Sequence, residues 1–156
     1  MPLFSNPNTS MLSTKCKYAI RSVLLLAAES SLEQKWTIKQ ISDHLSIPQH
    51  FLGKILQELV PRNIISSMKG PTGGFYMNEQ NRSTTLLTLI EVVDGPFFLQ
   101  GCGLGLEKCS DTNPCPIHDT YKICRNHLRE TFSSKKISEF EHDILSKNLF
   151  LHGSIK

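Results

Sequence analysis

The stretch from Thr37 to Leu59 constrains this chain most, because two apolar stripes lie only a few residues apart around a proline. Ile38, Ile41 and Leu45 recur at steps of three and four, and so do Phe51, Leu52, Ile55, Leu56 and Leu59. That is the spacing of side chains sharing one face of an α-helix, so both sets are predicted to face inward. Between them lies Ser46-Ile47-Pro48-Gln49. Inside a helix a proline removes a backbone donor and clashes with the preceding turn, but in a first turn the lost N–H has no partner anyway. One continuous helix is therefore excluded, and two short helices across a tight turn follow, a helix-turn-helix. Thr37 supplies an oxygen to cap the first of them, and Pro61 ends the second.

The flanking text extends the pattern. Ser13 and Thr14 are candidate caps for a helix over roughly 15–30, whose apolar side carries Tyr18, Ala19, Val23, Leu24, Leu26 and Ala27. Downstream, Ile64 to Met68 and Phe75 to Met77 predict two short strands, and the glycine-rich tip between them predicts a β-hairpin. Ser83 or Thr84 is expected to cap a helix containing Leu86, Leu87, Leu89, Ile90 and Val93, which Gly95-Pro96 stops. Helix, helix-turn-helix, hairpin is the order of a winged-helix domain. Near the C-terminus Ile117, Tyr121, Cys124, Leu128 and Phe132 step by four, three, four and four, one stripe on a long helix. Periodicity alone leaves two uses for that stripe: packing on its own domain, or pairing across a two-fold axis with a second copy.

Composition narrows the class. Hydrophobic residues make up 39% and charged residues 20% of 156, as in an ordinary globular protein that can build a core without disulfide staples. Nine Lys/Arg face five Asp/Glu over 11–82, and eight face nine over 83–156, so the excess of +3 sits in the first half. A basic half suits a phosphate-contacting surface, although an imbalance this small carries little weight alone. The opening MPLFSNPNTS has no charged and apolar signal pattern, and the longest wholly apolar run, Val23 to Ala28, is far too short to span a bilayer. The expectation is a cytoplasmic protein with no membrane partner. Its five cysteines are then metal ligands or reactive thiols rather than a disulfide framework.

Three of them cluster. From Gln100 to Pro116 the chain loses all apolar periodicity and carries Cys102, Cys109 and Cys115, separated by six and five residues, with His118 three after the last. So long an irregular segment is usually functional or disordered. Thiolates suit iron–sulfur clusters, zinc or copper(I), and glycines let one loop wrap such a group. Zinc sites ordinarily show a tight C-x2-4-C knuckle, which is missing here. A metal-free thiol switch is the other competitor, and spacing leaves a cluster and its alternatives about even. Cys124, on the apolar stripe, is expected as a small core residue, and Cys16 as a spectator beside a helix cap. Cys115 and His118 lack an orienting third group, so an enzyme with a cysteine nucleophile is not expected.

Taken together, the opening LSTKCKYAI, the helix-turn-helix text ISDHLSIPQHFLGKILQELVPRNIISSMKG, the tip GPTGGF, the segment LIEVVDG and the loop ending CPIH resemble the Rrf-type winged-helix transcriptional regulators, in particular the cluster-binding IscR-like and NsrR-like members. The resemblance covers about residues 11–135. It implies a fold that is mainly α with a small β-hairpin, a winged helix-turn-helix domain plus a long C-terminal dimerisation helix. It also implies a 2Fe–2S or 4Fe–4S cluster on Cys102, Cys109 and Cys115, with His118 as the fourth ligand of IscR-like members. The acidic residue that some NsrR-like members use near the first helix of the partner subunit has no counterpart at Cys16 and Lys17, which favours His118 or leaves an open iron site. Two departures leave cluster type and operator open: IscR has five residues between the first two cysteines, and IscR-like proteins carry a glutamate at the position of Gly53.

The expected organisation is a disordered leader over 1–10, a DNA-binding domain over 11–82, a connecting helix over 83–99, a cluster-binding loop over 100–116, a dimerisation helix over 117–140 and a mobile tail over 141–156. The expected function is a homodimeric repressor of a double-stranded DNA operator, responding through its cluster to iron–sulfur status, redox state or nitric oxide. The alternative is a metal-free thiol-redox or small-molecule-responsive repressor. Gln49, His50 and Lys54 are the polar residues of the recognition helix, since glutamine can read adenine and lysine guanine or phosphate. Lys69, Gly70, Thr72, Gly73 and Gly74 form the wing tip, and Ser13, Thr14 and Lys15 stand at a helix N-terminus able to meet a phosphate.

Overall fold

A computed structural model describes residues 11–153; the expected leader over 1–10 lies outside the described residues. Helix α1 (Thr14–Glu29) begins at Ser13, whose hydroxyl accepts from the Cys16 N–H at 3.0 Å. Helix α2 (Ile38–Leu45) starts in a reciprocal cap: the Thr37 hydroxyl accepts from the Gln40 N–H, and the Gln40 side chain accepts from the Thr37 N–H at 2.8 Å. Ser46 turns through the left-handed region, and helix α3 (Gln49–Leu59) follows directly after Pro48. The helix-turn-helix is therefore built where the proline and the two stripes require it.

Strands β1 (Ser66–Met68) and β2 (Gly74–Tyr76) pair antiparallel, with Ser66 opposite Tyr76 and Met68 opposite Gly74. The first strand is shorter than expected because Ile64 and Ile65 are drawn into the core, at 2% and 1% exposure. Trp36 adds a bridge to Phe75, with N–H···O distances of 2.9 and 2.8 Å, and so ties the hairpin to the entry of α2.

Two caps differ from expectation. Ser83 and Thr84 close a short helix α4 (Glu79–Arg82), their backbone N–H groups donating to the Glu79 and Asn81 carbonyls. Thr85 caps helix α5 (Leu86–Asp94) instead, and Gly95 ends it at φ 89°.

The C-terminal region corrects a larger expectation. Helix α6 spans His118–Ser133 and stops short of 140. The Ile137 N–H donates to the Thr84 carbonyl at 2.9 Å, which turns the chain back, and helix α7 (Ile137–Lys147) takes in the first part of the segment expected as a mobile tail, whose positions 154–156 lie outside the described residues. Ile137 is fully buried, and Phe140 and Ile144 pack on the core.

Helix α1 lies at the centre, packed against α2, α3, α5 and α7. Ala19, Val23, Leu26, Ile41, Leu45, Leu52, Leu56, Leu59 and Leu89 are fully buried around it. Each such large side chain contributes about 1.5–3 kcal/mol by leaving water. Phe51, expected inside, is instead 54% exposed. Neighbours on a helix point about 100° apart, and once Leu52 and Leu56 face the core Phe51 falls outside the buried stripe. Cys124 is likewise exposed rather than part of the core.

Candidate metal centre and nucleic-acid interface

The cysteine loop is held by its own hydrogen bonds and by α6. Gly105 N–H donates to the Cys102 carbonyl, Cys109 N–H to that of Leu106, and Ser110 and Asn113 bridge each other. The Arg125 guanidinium reaches from α6 to the Gly101 carbonyl at 2.8 Å. Gly103 is needed for close packing, since a Cβ there would stand 2.9 Å from the Tyr121 ring.

This path gathers the three loop cysteines. Their Sγ atoms all lie within 4.8 Å of one another, and those of Cys102 and Cys115 are 3.6 Å apart. The first turn of α6 adds His118, whose Nδ1 lies 3.1 Å from Cys109 Sγ. Backbone N–H groups of Leu106 and Leu104 beside the sulfur bring the Cys102 thiol down to about 7, near the range where a thiolate is available as a ligand. Three of the four ligand candidates read from the sequence thus form one group, and the fourth, His118, stands beside Cys109. Asp111 was not among them, yet its carboxylate accepts from His118 Nε2 at 2.9 Å and from the Lys122 ammonium at 2.6 Å. The Lys122 ammonium first, and then the hydrogen bond from His118, hold its carboxyl down at about 2. The one sequence signal was an acidic residue two positions after Cys109.

Cys16 lies apart from this group and is fully buried. Burial first, and then Asp94, push its thiol up to about 12, which suits an inert spectator.

The DNA-contact candidates occupy two places. Gln49, His50 and Lys54 are exposed on α3, and Lys54 shares a cleft of about 450 Å³ with Thr14, Lys15, Tyr18 and Phe51. Lys69, Gly70 and Thr72 are exposed at the hairpin tip. Gly73 and Gly74 have an internal reason to be glycine: a Cβ would stand 2.3 Å from the Met68 carbonyl oxygen and 2.8 Å from that of Trp36, respectively. Ser13 is engaged within the chain, donating its N–H to Asp94 at 3.0 Å and its hydroxyl to the same carboxylate. Exposed Gln57 extends the polar side of α3 and was missed.

A family model described as "Rrf2: Iron-dependent Transcriptional regulator" matches residues 12–143. An HTH-type transcriptional regulator of Aquifex aeolicus is 29% identical over 140 residues, covering 88% of this chain and 95% of the relative. Among solved structures, CymR, the global cysteine regulator of B. subtilis, superposes with a TM-score of 0.71 at 19% identity, over 84% of this chain and 95% of its own. IscR of T. potens superposes with a TM-score of 0.67 at 16% identity, over 89% of this chain and 91% of its own. Both likenesses establish the winged-helix fold.

Proposed function

Because the chain belongs to the Rrf2 family of transcriptional regulators, which are not enzymes, we propose that it represses a DNA operator under the control of an iron–sulfur cluster held by Cys102, Cys109, Cys115 and His118. The observation that carries this reading is the convergence of three free thiols with a histidine nitrogen 3.1 Å from one of them. Soft sulfur donors with an imidazole suit iron–sulfur ligation, so the residues present fit the group. A bound cluster, 2Fe–2S or 4Fe–4S, would supply a centre sensitive to redox state, iron supply and nitric oxide.

The chain's own contacts support a route from this loop to the DNA-facing end. Helix α5 ends at Gly95, and one 3-10 turn, Pro96–Leu99, leads from it into the cysteine segment. Its Asp94 grips Ser13 at the start of α1, and its Glu91 pairs with Arg129 of α6 at 3.5 Å. A shift of the loop against α6 therefore bears on the N-terminus of α1, beside Thr14, Lys15 and Lys54. Gln49, His50 and Lys54 would read the major groove, and Lys69, Gly70 and Thr72 would meet the backbone, with Gly73 and Gly74 shaping the turn that presents them. The exposed apolar residues of α6, among them Tyr121 and Ile123, support a homodimer that presents two such readers.

A second reading is favoured by one distance. Cys102 and Cys115 Sγ atoms 3.6 Å apart are close enough for a small shift to join them as a disulfide, a metal-free thiol switch on the same scaffold. An anaerobic visible absorption spectrum with iron and sulfide analysis separates the two. Brown protein with stoichiometric iron and sulfide, bleached in Cys109→Ala, is expected. Colourless protein after reconstitution, with operator binding that follows thiol oxidation, selects the disulfide switch.

A further inference from the structure

The two nitrogens of His118 face different chemistry. Nδ1 lies 3.1 Å from Cys109 Sγ, while Nε2 lies 2.9 Å from Asp111 Oδ1. The ring is nearly enclosed, with 11% of its side-chain surface exposed. An ionised carboxylate can only accept, so Nε2 is the nitrogen that carries the proton, and in the neutral ring Nδ1 then carries the lone pair. Asp111 is itself held. The Lys122 ammonium lies 2.6 Å from the same oxygen, one turn along α6 from His118, and the Ser110–Asn113 bridge closes the loop around it. Nothing in the packing of the apolar core calls for this arrangement, since the Asp111 side chain is 70% exposed.

We propose that Asp111, braced by Lys122, is a positioning residue that selects the tautomer and orientation of His118, so that iron ligation goes through Nδ1. The inference rests on the cluster reading above and names the group that sets its fourth ligand. A carboxylate accepting from Nε2 makes Nδ1 a stronger donor and removes the ring's freedom to flip. The lysine fixes where the carboxylate stands, so that its oxygen stays in line with Nε2.

The test compares anaerobically reconstituted wild-type protein with Asp111→Ala and Asp111→Asn. The readouts are iron and sulfide content, the half-life of the visible bands under a chelator, and the reduction potential. Pulsed-EPR nitrogen coupling of the reduced cluster follows the ligand itself. Loss of the carboxylate is expected to shorten the half-life by about tenfold or more, since removing such a partner lowers metal affinity by about tenfold to a hundredfold. The potential should move upward, because a weaker imidazole donor stabilises the oxidised iron less. Asp111→Asn keeps an acceptor oxygen without the charge, and should fall between the two. An unchanged half-life, potential and nitrogen coupling in both variants overturns the proposal while leaving the cluster in place. Colourless wild-type protein after reconstitution overturns the cluster reading and this inference with it. Asp111 sits on an exposed loop, so an unchanged helical circular dichroism signal identifies variants whose losses are local.

Discussion

At the residue scale, the least conspicuous letters carry the strictest geometry. Asn81 is 2% exposed and every polar group of its side chain is used: its amide donates to the Asn63 carbonyl at 2.7 Å, and its oxygen accepts from the Ser66 hydroxyl and the Asn78 N–H. It joins the turn before the hairpin, strand β1 and the start of α4. Replacement by alanine strands a buried carbonyl and an N–H, and should destabilise the fold by about 2 kcal/mol. Urea unfolding monitored by circular dichroism measures this, and a change below ~0.5 kcal/mol would show that water replaces the amide. The spacing to Asn78 suits a local cap, but the contacts that bury Asn81, to Ser66 and Asn63, lie 15 and 18 positions away and leave no mark in the sequence.

At the scale of elements, α6 and α7 share a sequence texture and meet opposite fates. Helix α6 has no buried residue among its sixteen, and Ile123 is 72% exposed. If α6 is the dimer interface, Ile123→Glu should shift the protein toward monomer in sedimentation equilibrium with its thermal melt little changed. An unaltered mass would place the interface elsewhere. Helix α7 docks instead. Asp143 accepts from Lys135 and from Lys147, and these two cations, Lys135 first, hold its carboxyl at about 2 rather than the ordinary 3.8. Because the folded value is the lower one, this stabilisation is present above pH 4 and fades as pH falls toward 2. Asp143→Asn should therefore lower the melting temperature at pH 7 and leave it near wild type at pH 2. Equal losses at both pH values would assign the effect to packing rather than to charge.

At the scale of the whole molecule, the basic excess of the first half is partly spent inside. Arg21 donates to the carbonyls of Leu45, Leu151 and Gly153, clamping the C-terminal end against α1 and α2. Arg82 pairs with Glu141 and donates to the Ala27 and Ser30 carbonyls. The charges left for a phosphate backbone are fewer than a count suggests, and Lys54 on α3 and Lys69 on the hairpin become the informative ones. Each alanine substitution should lower the slope of log affinity against log salt by about 0.9 if that lysine meets one phosphate. An unchanged slope, measured by fluorescence anisotropy on an operator duplex, would remove that residue from the interface.

The sequence by itself determined the helix-turn-helix, the hairpin and the membership of the thiol cluster. Those features follow from local physics: a period of 3.6, a proline that cannot sit mid-helix, glycines at a tip, and cysteines confined to one loop. Only the tertiary structure decided that Phe51 faces outward, that α7 folds back on the core, that Arg21 and Arg82 are internal clamps, and that Asp111 holds His118. Each of these depends on a partner that chain folding brings near, so spacing along the chain carries no record of it. For Asp111 the contact spans only seven positions, yet an irregular loop has no period from which its direction could be read.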